Sequence, residues 1–194
     1  MEEAMEILVR EIEDYVPANE QEETDKEFIL STLRRDPSCL TRDNRAHLAC
    51  SVWTVDSTFT HTLLVYHNIY NSWSWIGGHA DGEADLRSVA LRELEEETGV
   101  KGELQDGVLS VEVLTVDGHE KRGAYVGSHL HLNVTYLAIA SMDEAIRVKP
   151  DENSGVRWVP LRDILELSDE PWICQRIYQK LIDATERRRP NGCS

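Results

Sequence analysis

A strong helical segment with strand-like segments on both sides is the feature that most constrains this fold. Residues 84–97 are rich in helix-forming side chains, and Gly99 stands where a helix commonly ends in a left-handed residue. Residues that favour strands are concentrated in five other segments: 46–56, 61–70, 108–117, 129–140 and 155–160. Strands therefore lie before and after the helix, and Pro171 opens a last helix that runs to about residue 188. This order predicts a mixed α/β (α+β) sandwich.

The first forty residues carry a helical pattern of their own. Four side chains form one stripe at helical spacing: Met5, Leu8, Ile12 and Tyr15. Pro17 breaks this helix, and a second helix is predicted over residues 20–35, with four residues on its buried face: Phe28, Ile29, Thr32 and Leu33. We therefore predict a helical extension over residues 1–40 and a main domain over residues 41–194. The extension is expected to cap the main domain, and a dimer element or a lid over a site is the alternative.

The charge balance excludes several partners. The chain has 36 acidic and 20 basic residues and a net charge of -16. Coating of a nucleic acid polymer requires a basic surface, and so does binding to an anionic membrane. We therefore expect neither a nucleic acid nor a membrane as a partner. An anionic small-molecule substrate would need a recruited positive charge, and a divalent metal ion is the simplest source of it.

The sequence predicts a cytoplasmic protein. It contains no run of about 18 apolar residues, which a membrane-spanning helix needs. Its first residues lack the basic start and the apolar run of a secretory signal. The cysteines are scattered and form no Cys-x-x-Cys pair: Cys39, Cys50, Cys174 and Cys193. We expect these to be reduced thiols and not a zinc site.

The acidic residues of the central helix fall on an unexpected face. With about 100° per residue, Glu93 and Glu97 share the azimuth of apolar side chains, and Glu96 lies at the edge of that face. Ionised carboxylates on a buried face lose hydration and repel one another, and at a helix C-terminus they also oppose the dipole. A hard divalent cation removes all three penalties. The alternative is a frayed, solvated helix end with pairing to Arg92.

A glycine pair, Gly77 and Gly78, precedes this helix. Glycine lets the backbone approach its neighbours closely or adopt a positive φ. A carbonyl group of this pair could therefore reach the same metal ion. The pair and the glutamate spacing together are a more specific signal than either one alone.

The segment from Gly78 to Val100 resembles the Nudix box, Gly-x5-Glu-x7-Arg-Glu-U-x-Glu-Glu-x-Gly-U, in which U is a bulky aliphatic residue. Eight positions match at the required spacing: Gly78, Arg92, Glu93, Leu94, Glu96, Glu97, Gly99 and Val100. Ala84 departs from the pattern in the first Glu position, where Glu83 and Asp85 flank it. A slip of one residue in the loop would let Glu83 take that role and support Arg92.

The resemblance implies a fold, an activity and a cofactor. The fold would be a Nudix-like α/β/α sandwich with a mixed sheet. The activity would be hydrolysis of a nucleoside diphosphate linked to another moiety, by attack of water on a phosphorus of the diphosphate. The expected cofactor is Mg²⁺ or Mn²⁺, the expected partner is a phosphorylated small molecule, and a homodimer is compatible with the family.

The resemblance also implies roles for individual residues. Glu96 and Glu97 are expected to bind the metal, and Glu93 is expected to be a further ligand or the base that orients the water. Gly77 is a candidate carbonyl ligand, and Arg92 is expected to fix the glutamates by charge-assisted hydrogen bonds.

A further acid is expected in the loop before the last strand. In the family, such a residue often serves as an additional ligand or as the base. Glu152 is the candidate and Asp151 is the alternate, because both directly precede the strand-like residues 155–160. The alternative is a solvated loop acid.

Four other residues are candidates for substrate binding. His129 and His131 lie two apart on a predicted strand and face the same way, at a spacing that also suits metal ligands. His79 follows the glycine pair and could contact a phosphate, and Trp73 could stack on a base. The ordinary alternatives are polar residues on a half-exposed strand, a solvated loop histidine and rim packing.

Two other functions fit parts of the sequence. A catalytically silent Nudix-like domain could bind a nucleotide or sugar ligand as a sensor, although the intact spacing of Glu93, Glu96 and Glu97 argues against it. The diphosphate isomerase branch of the superfamily would need a catalytic cysteine, for which Cys50 is the candidate.

Overall fold

The computed structural model describes residues 2–121, 123–167 and 170–190. The helices are α1 (Glu2–Asp14), α2 (Glu20–Arg35), α3 (Leu86–Thr98), α4 (Pro171–Ile173) and α5 (Gln179–Arg188). The strands are β1 (Ala46–Asp56), β2 (His61–His67), β3 (Ser72–Ser74), β4 (Ile76–His79), β5 (Gly102–Val116), β6 (His119–Lys121), β7 (Ala124–Val126), β8 (His129–Ala140) and β9 (Asn153–Pro160). A π-helical turn, Cys174–Tyr178, joins α4 to α5, and 3₁₀ turns lie at Pro37–Leu40 and Leu161–Glu166.

A mixed sheet of seven strands forms the centre of the fold. Its strands follow the order β3-β2-β1-β8-β5, while β4 pairs with β1 and β9 pairs with β2. β1 and β8 run parallel along all of β1, from the pair Ala46/Leu130 to the pair Asp56/Ala140. The other pairs in this sheet are antiparallel. β6 and β7 form a separate two-stranded ribbon.

Helices cover both faces of the sheet. On one face, α1, α2 and α3 share a buried core with β1 and β8, to which Ile12 and Val89 contribute. On the other face, the C-terminal helices pack on Trp53, whose indole donates a hydrogen bond to Thr185 Oγ1 at 3.0 Å. None of the described helices is long and apolar enough to cross a membrane. This α/β/α arrangement with a mixed sheet confirms the predicted fold class.

The N-terminal helices pack on the main core. α2 begins after Asn19, whose Oδ1 accepts a hydrogen bond from Glu22 N at 3.0 Å, and it spans the predicted residues. The apolar residues that it and α1 bury are Leu8, Ile12, Ile29, Leu30 and Leu33. Burial of Phe28 was wrongly predicted: its side chain is 39% exposed, because it lies to one side of the buried stripe. The boundary near residue 40 stays a prediction.

α2 also covers the open edge of the sheet. β5 is an edge strand, and such a strand presents free N–H groups that can pair with another chain. Glu22 Oε1 accepts a hydrogen bond from Val111 N at 3.3 Å, and Asp25 Oδ2 accepts one from Val113 N at 3.0 Å. Two carboxylates of α2 therefore satisfy backbone groups that would otherwise be open to a neighbour.

A buried ionic network joins α2, the sheet and α5. Lys180 Nζ lies 2.8 Å from Glu22 Oε1 and 2.9 Å from Glu112 Oε1. Burial opposes ionisation of Glu22, but the charge and hydrogen bond of Lys180, together with hydrogen bonds from Tyr15 and Ala18 N, outweigh it and lower the pKa of Glu22. Burial also opposes the charge of Lys180, yet Glu112 and Glu22 raise its pKa. Tyr15 completes the network by donating its hydroxyl hydrogen to Glu22 Oε2 at 2.6 Å.

The limits of several strands differ from the prediction. The strand predicted over residues 61–70 ends at His67, because the chain turns there with Asn71 at φ 50°. The predicted glycine loop contains β4, whose backbone pairs with β1 although its glycines supply no side-chain pattern. β5 begins at Gly102, earlier than the predicted residue 108, and is irregular around Gly107, which has φ 72°.

Candidate catalytic and metal site

α3 is held in place by a cap at each end. Asp85 Oδ1 accepts a hydrogen bond from Ser88 N at 3.3 Å and starts the helix at Leu86, slightly later than predicted. Gly99 ends the helix with φ 77°, as the sequence predicts. The apolar side of α3 packs on the sheet, and Glu97 is buried on that side. The helix therefore carries a carboxylate into the interior.

Three carboxylates converge at this end of α3. One oxygen atom each of Glu93, Glu97 and Glu152 lies within 4.8 Å of the others. Glu93 and Glu97 come from adjacent turns of the helix, and Glu152 comes from the loop before β9. The structure thus brings together three of the residues for which the sequence suggested a ligand or base, from segments far apart in the chain.

The environment of this cluster disfavours negative charge. The side chain of Glu97 is almost fully enclosed, with the residue 3% exposed. Burial is the main reason that the pKa of Glu97 rises to about 8, and Glu93 and Glu152 add repulsion. Burial also raises the pKa of Glu93, to which Glu96 and Glu152 contribute. A divalent cation would reverse this penalty, because it supplies the missing positive charge.

β4 lets the backbone approach these acids closely. Gly77 N donates a hydrogen bond to Glu97 Oε1 at 3.2 Å. A Cβ atom at Gly78 would lie 2.6 Å from Glu93 Oε1, and a Cβ atom at Gly77 would lie 2.6 Å from Cys50 O. Gly77 is therefore required by its contact with the backbone of β1, whereas a side chain at Gly78 would displace the carboxylate of Glu93. Metal binding by the Gly77 carbonyl group stays a prediction.

Glu96 occupies a different position from Glu93 and Glu97. It is exposed, and its Oε2 lies 3.0 Å from Lys149 Nζ, which also lies 3.0 Å from Glu152 Oε2. Although burial opposes the charge of Lys149, these two contacts raise its pKa, so the ammonium group stays charged. Lys149 is the local counter-charge of the acids. The role of Glu96 as a metal ligand stays a prediction.

A buried amide positions the loop that carries Glu152. Asn153 is fully enclosed, and its Nδ2 donates a hydrogen bond to Glu97 O, the carbonyl near the end of α3, at 3.0 Å. Asn153 Oδ1 accepts a hydrogen bond from Lys149 N at 3.1 Å. Arg147 N also donates to Thr98 O at 2.8 Å. These bonds fix the loop against the end of the helix.

Arg92 has the partner expected from the altered box. Its Nη1 donates a hydrogen bond to Glu83 Oε2 at 2.9 Å, while Asp85 is used as the helix cap. Ala84, in the first Glu position, is buried. Glu83 therefore supplies the carboxylate that the box lacks at residue 84.

The residues predicted to bind substrate fall into two places. His79, His129 and His131 lie together with His47, with one ring nitrogen of each within 4.8 Å of the others. Trp73 lies elsewhere, in β3, where the Arg157 guanidinium stands 4.1 Å from its ring centroid. Contact of these side chains with a substrate stays a prediction.

Two residues near the predicted sites were missed by the sequence reasoning. His47 opens β1, and only the pairing of β1 with β8 reveals that it lies opposite His131. Lys149 is a basic residue three positions before Glu152 in an acidic chain, which is a signal that the sequence did contain.

Cys50 does not fit the isomerase alternative. Its thiol is completely buried, and its Sγ donates a hydrogen bond to Leu86 O at 3.1 Å. Burial raises the pKa of this thiol well above its ordinary value. Such a thiol is a poor nucleophile, since the thiolate is the reactive form.

Solved structures of similar fold include three described as Nudix or Ap4A hydrolases. A NUDIX-family hydrolase from Clostridium perfringens has a TM-score of 0.50 and 19% identity, over 71% of this chain and 97% of that one. A Nudix hydrolase from M. smegmatis, RenU, has a TM-score of 0.52 and 16% identity, over 73% and 87%. A C. elegans Ap4A hydrolase complex has a TM-score of 0.50 and 17% identity, over 72% and 95%. These similarities show a shared fold.

Sequence comparisons identify the family. The human protein named nucleoside diphosphate-linked moiety X motif 6 is 26% identical over 163 residues, which cover 82% of this chain. The match covers 49% of the human protein, so the chain spans about half the length of this relative. The family model of the NUDIX domain matches residues 45–181, which include the carboxylate cluster. The chain therefore belongs to the Nudix family, as its box predicted.

Proposed function

We propose that the chain is a divalent-metal-dependent pyrophosphohydrolase that cleaves the diphosphate of a nucleoside diphosphate linked to another moiety. The observation that carries the proposal is the convergence of Glu93, Glu97 and Glu152 against the glycine strand β4. A set of carboxylates so arranged has little structural value, because it concentrates like charge where hydration is poor.

The donor atoms suit a hard divalent cation. Carboxylate oxygens are the preferred ligands of Mg²⁺ and Mn²⁺. Glu93 and Glu97 would hold the ion, with Glu96 and the Gly77 carbonyl group as further ligands. When bound, the ion neutralises the phosphate oxygens and makes a water molecule more acidic. Mg²⁺ and Mn²⁺ are equally compatible with these ligands.

The protein side chains would supply orientation and proton transfer. We assign Glu152 as the general base, because its side chain is one-third exposed and its loop position faces solvent more than Glu97 does. Water attacks a phosphorus of the diphosphate, and Glu152 accepts the proton that the water loses. The new P–O bond replaces the anhydride bond, and two phosphate-bearing products leave. Arg92 and Glu83 would hold the loop that precedes the helix.

The substrate class is proposed from the box and from the human relative, whose name specifies a nucleoside diphosphate linked to a moiety X. A bound metal ion would also allow this acidic chain to bind a phosphorylated, and therefore anionic, small molecule. We also propose a cytoplasmic location. A homodimer would be compatible with the site.

A panel assay tests the proposal. Purified protein is incubated with ADP-ribose, dinucleoside polyphosphates, nucleotide sugars and oxidised nucleotides, with Mg²⁺, with Mn²⁺ or with EDTA. Products are identified by mass spectrometry in ¹⁸O-labelled water. We expect two phosphate-bearing products, one of them labelled, and no turnover in EDTA. Ligand binding without turnover on every substrate would instead support a sensor.

A variant pair tests the role of Glu152. Glu152→Gln should lower kcat by about 10²- to 10⁴-fold, the usual contribution of a general base, with little change in the Mn²⁺ concentration that gives half-maximal activity. Asp151→Asn is the matched control and should retain activity. If Glu152→Gln instead alters only the metal requirement, Glu152 is a ligand and not the base.

A further inference from the structure

Four histidines from three strands meet beside the carboxylate site. The parallel pairing of β1 with β8 places His47 opposite His131, and the antiparallel pairing of β1 with β4 places Ala49 opposite His79. His129 lies two residues before His131 on the same face of β8. The imidazole rings are close, with centroids 5.1 Å apart for His47 and His79 and 4.8 Å apart for His79 and His131.

Backbone carbonyl groups fix the tautomers of two of these rings. His47 Nδ1 lies 2.7 Å from Asn44 O, and His129 Nδ1 lies 2.9 Å from Gly127 O. A carbonyl oxygen can only accept, so each Nδ1 carries the hydrogen. In a neutral ring with this tautomer Nε2 carries a lone pair and no hydrogen, which applies to His47 and to His129. This is the arrangement that orients histidine ligands in metal sites.

The ring nitrogen atoms that face one another carry too few hydrogens for every close pair to form a hydrogen bond. His131 Nε2 lies 3.1 Å from His79 Nε2 and 3.1 Å from His129 Nε2. One hydrogen on His131 Nε2 can form a good hydrogen bond with only one of the two. His47, which is 3% exposed, contributes a buried Nε2 that has no hydrogen-bond partner among the described residues.

The four rings also converge. One nitrogen atom of each ring lies within 4.8 Å of the others, so the ring nitrogens surround a common centre. A metal cation stabilises such a set, because each lone pair becomes a ligand.

We propose that His47, His79, His129 and His131 form a binding site for Zn²⁺, separate from the carboxylate cluster. Neutral imidazole suits Zn²⁺, whereas the carboxylate cluster suits Mg²⁺ or Mn²⁺. Tetrahedral Zn²⁺ with Zn–N bonds of about 2.05 Å separates its ligand atoms by about 3.3 Å. The observed nitrogen separations, from 3.1 Å to within 4.8 Å, require only small side-chain movements to reach this geometry.

The number of ligands suggests what the ion does. Four protein ligands fill the coordination of Zn²⁺ and leave no position for a substrate, which is typical of a structural site. The ion would join β1, β4 and β8 at the end of the glycine strand. His79 directly follows Gly78, which packs against Glu93, so the zinc site would also hold β4 in position beside the carboxylates.

Zinc binding by the full chain tests the proposal directly. The protein is stripped with a chelator, dialysed and titrated with Zn²⁺, and bound metal is measured by mass spectrometry together with the thermal midpoint of unfolding. Co²⁺ replaces Zn²⁺ in a second titration, since tetrahedral Co²⁺ has intense visible absorption bands. We expect one tightly bound zinc ion per chain, a higher midpoint and a tetrahedral cobalt spectrum.

Four variants distinguish zinc binding by the histidine cluster from zinc binding elsewhere on the protein. His131→Gln and the half-buried His129→Gln should each lose at least tenfold in zinc affinity and lose the cobalt spectrum. His61→Gln, a histidine outside the cluster, and Glu97→Gln should keep both. A folded wild-type protein that binds no stoichiometric zinc would overturn the proposal. Zinc retained by both cluster variants, or lost in Glu97→Gln, would also overturn it.

Discussion

Two regions of this molecule bury carboxylates beside the same sheet, and the environment of the carboxylates differs sharply between them. In the network of Glu22, Glu112 and Lys180, the lysine compensates the acids and the pKa of Glu22 is lowered. In the cluster of Glu93, Glu97 and Glu152, compensation is incomplete and the pKa of Glu97 rises to about 8. The charges of the first group are balanced by groups of the protein itself. The charges of the second group would be balanced by an added cation, and titratable groups with shifted pKa values are typical of functional sites.

The largest expected effect comes from Glu97→Gln. Loss of this proposed metal ligand should lower kcat/KM by at least about 10²-fold, a loss of roughly 2.7 kcal/mol in transition-state stabilisation. Burial raises the pKa of Glu97, so this carboxyl resists ionisation in the metal-free protein, and a neutral glutamine should not make that protein less stable to urea. Glu95→Gln, on the exposed side of the helix, is the matched control and should keep normal rates. Wild-type activity in Glu97→Gln would refute its assignment.

Lys180→Met tests the other half of the comparison. Removing one partner of a buried ionic network leaves uncompensated charge and should lower the free energy of unfolding by about 3–5 kcal/mol. Lys101→Met is the control, because Lys101 forms an exposed pair with Glu95 that is worth about 1 kcal/mol or less. Urea unfolding measures both. Equal losses in the two variants would mean that the buried network contributes no more to the free energy of unfolding than an exposed ion pair does.

At acid pH the buried ionic network should contribute less to the free energy of unfolding. The folded-state pKa of Glu22 is lowered, so its stabilisation is present above the unfolded value of about 4.3 and is lost as the pH falls through the folded value. The stability difference between wild type and Lys180→Met should therefore narrow in urea unfolding below about pH 4. The pKa of Lys180 is raised, so its contribution persists up to about pH 10. A difference that is constant from pH 7 to pH 3 would contradict this account.

Glu83→Gln should have the smallest effect. The pair of Glu83 with Arg92 is about half exposed, and such pairs contribute at most about 1 kcal/mol. We expect kcat to fall by no more than about fivefold, with unchanged metal affinity. Asp85→Asn is the comparison variant. Asparagine also caps helices, so this change should likewise lower kcat only slightly. A loss of 10²-fold or more in Glu83→Gln would show that the altered loop takes a direct part in chemistry.

The fold was predictable where side chains carry a regular pattern. β1, β8 and α2 have the predicted limits, because their apolar residues and helix signals extend over many positions. β4 was missed because Gly77 and Gly78 have no side chains that could show alternation. The position of Phe28 was wrong because a helix with several apolar residues does not reveal which of them faces the core.

The candidate site likewise contains residues that the sequence could predict and residues that it could not. Glu93 and Glu97 were predictable from helical geometry, since residues four apart lie on one face. Glu152 was expected only through the family, because a loop residue gains its position from tertiary contacts such as that of Asn153 with α3. His47 could not be predicted as a neighbour of His131, because the register of two strands separated by more than 80 residues is not visible locally.

Manganese soaked into crystals of the protein tests the central claim most directly. The anomalous signal of Mn²⁺ locates the ion without assumptions about the substrate. We expect a peak between Glu93 and Glu97, with carboxylate oxygens at about 2.1 Å, and no such peak in Glu97→Gln. Carboxylates that turn apart into solvent, with manganese bound elsewhere or not at all, would contradict the assignment of this cluster as a catalytic metal site.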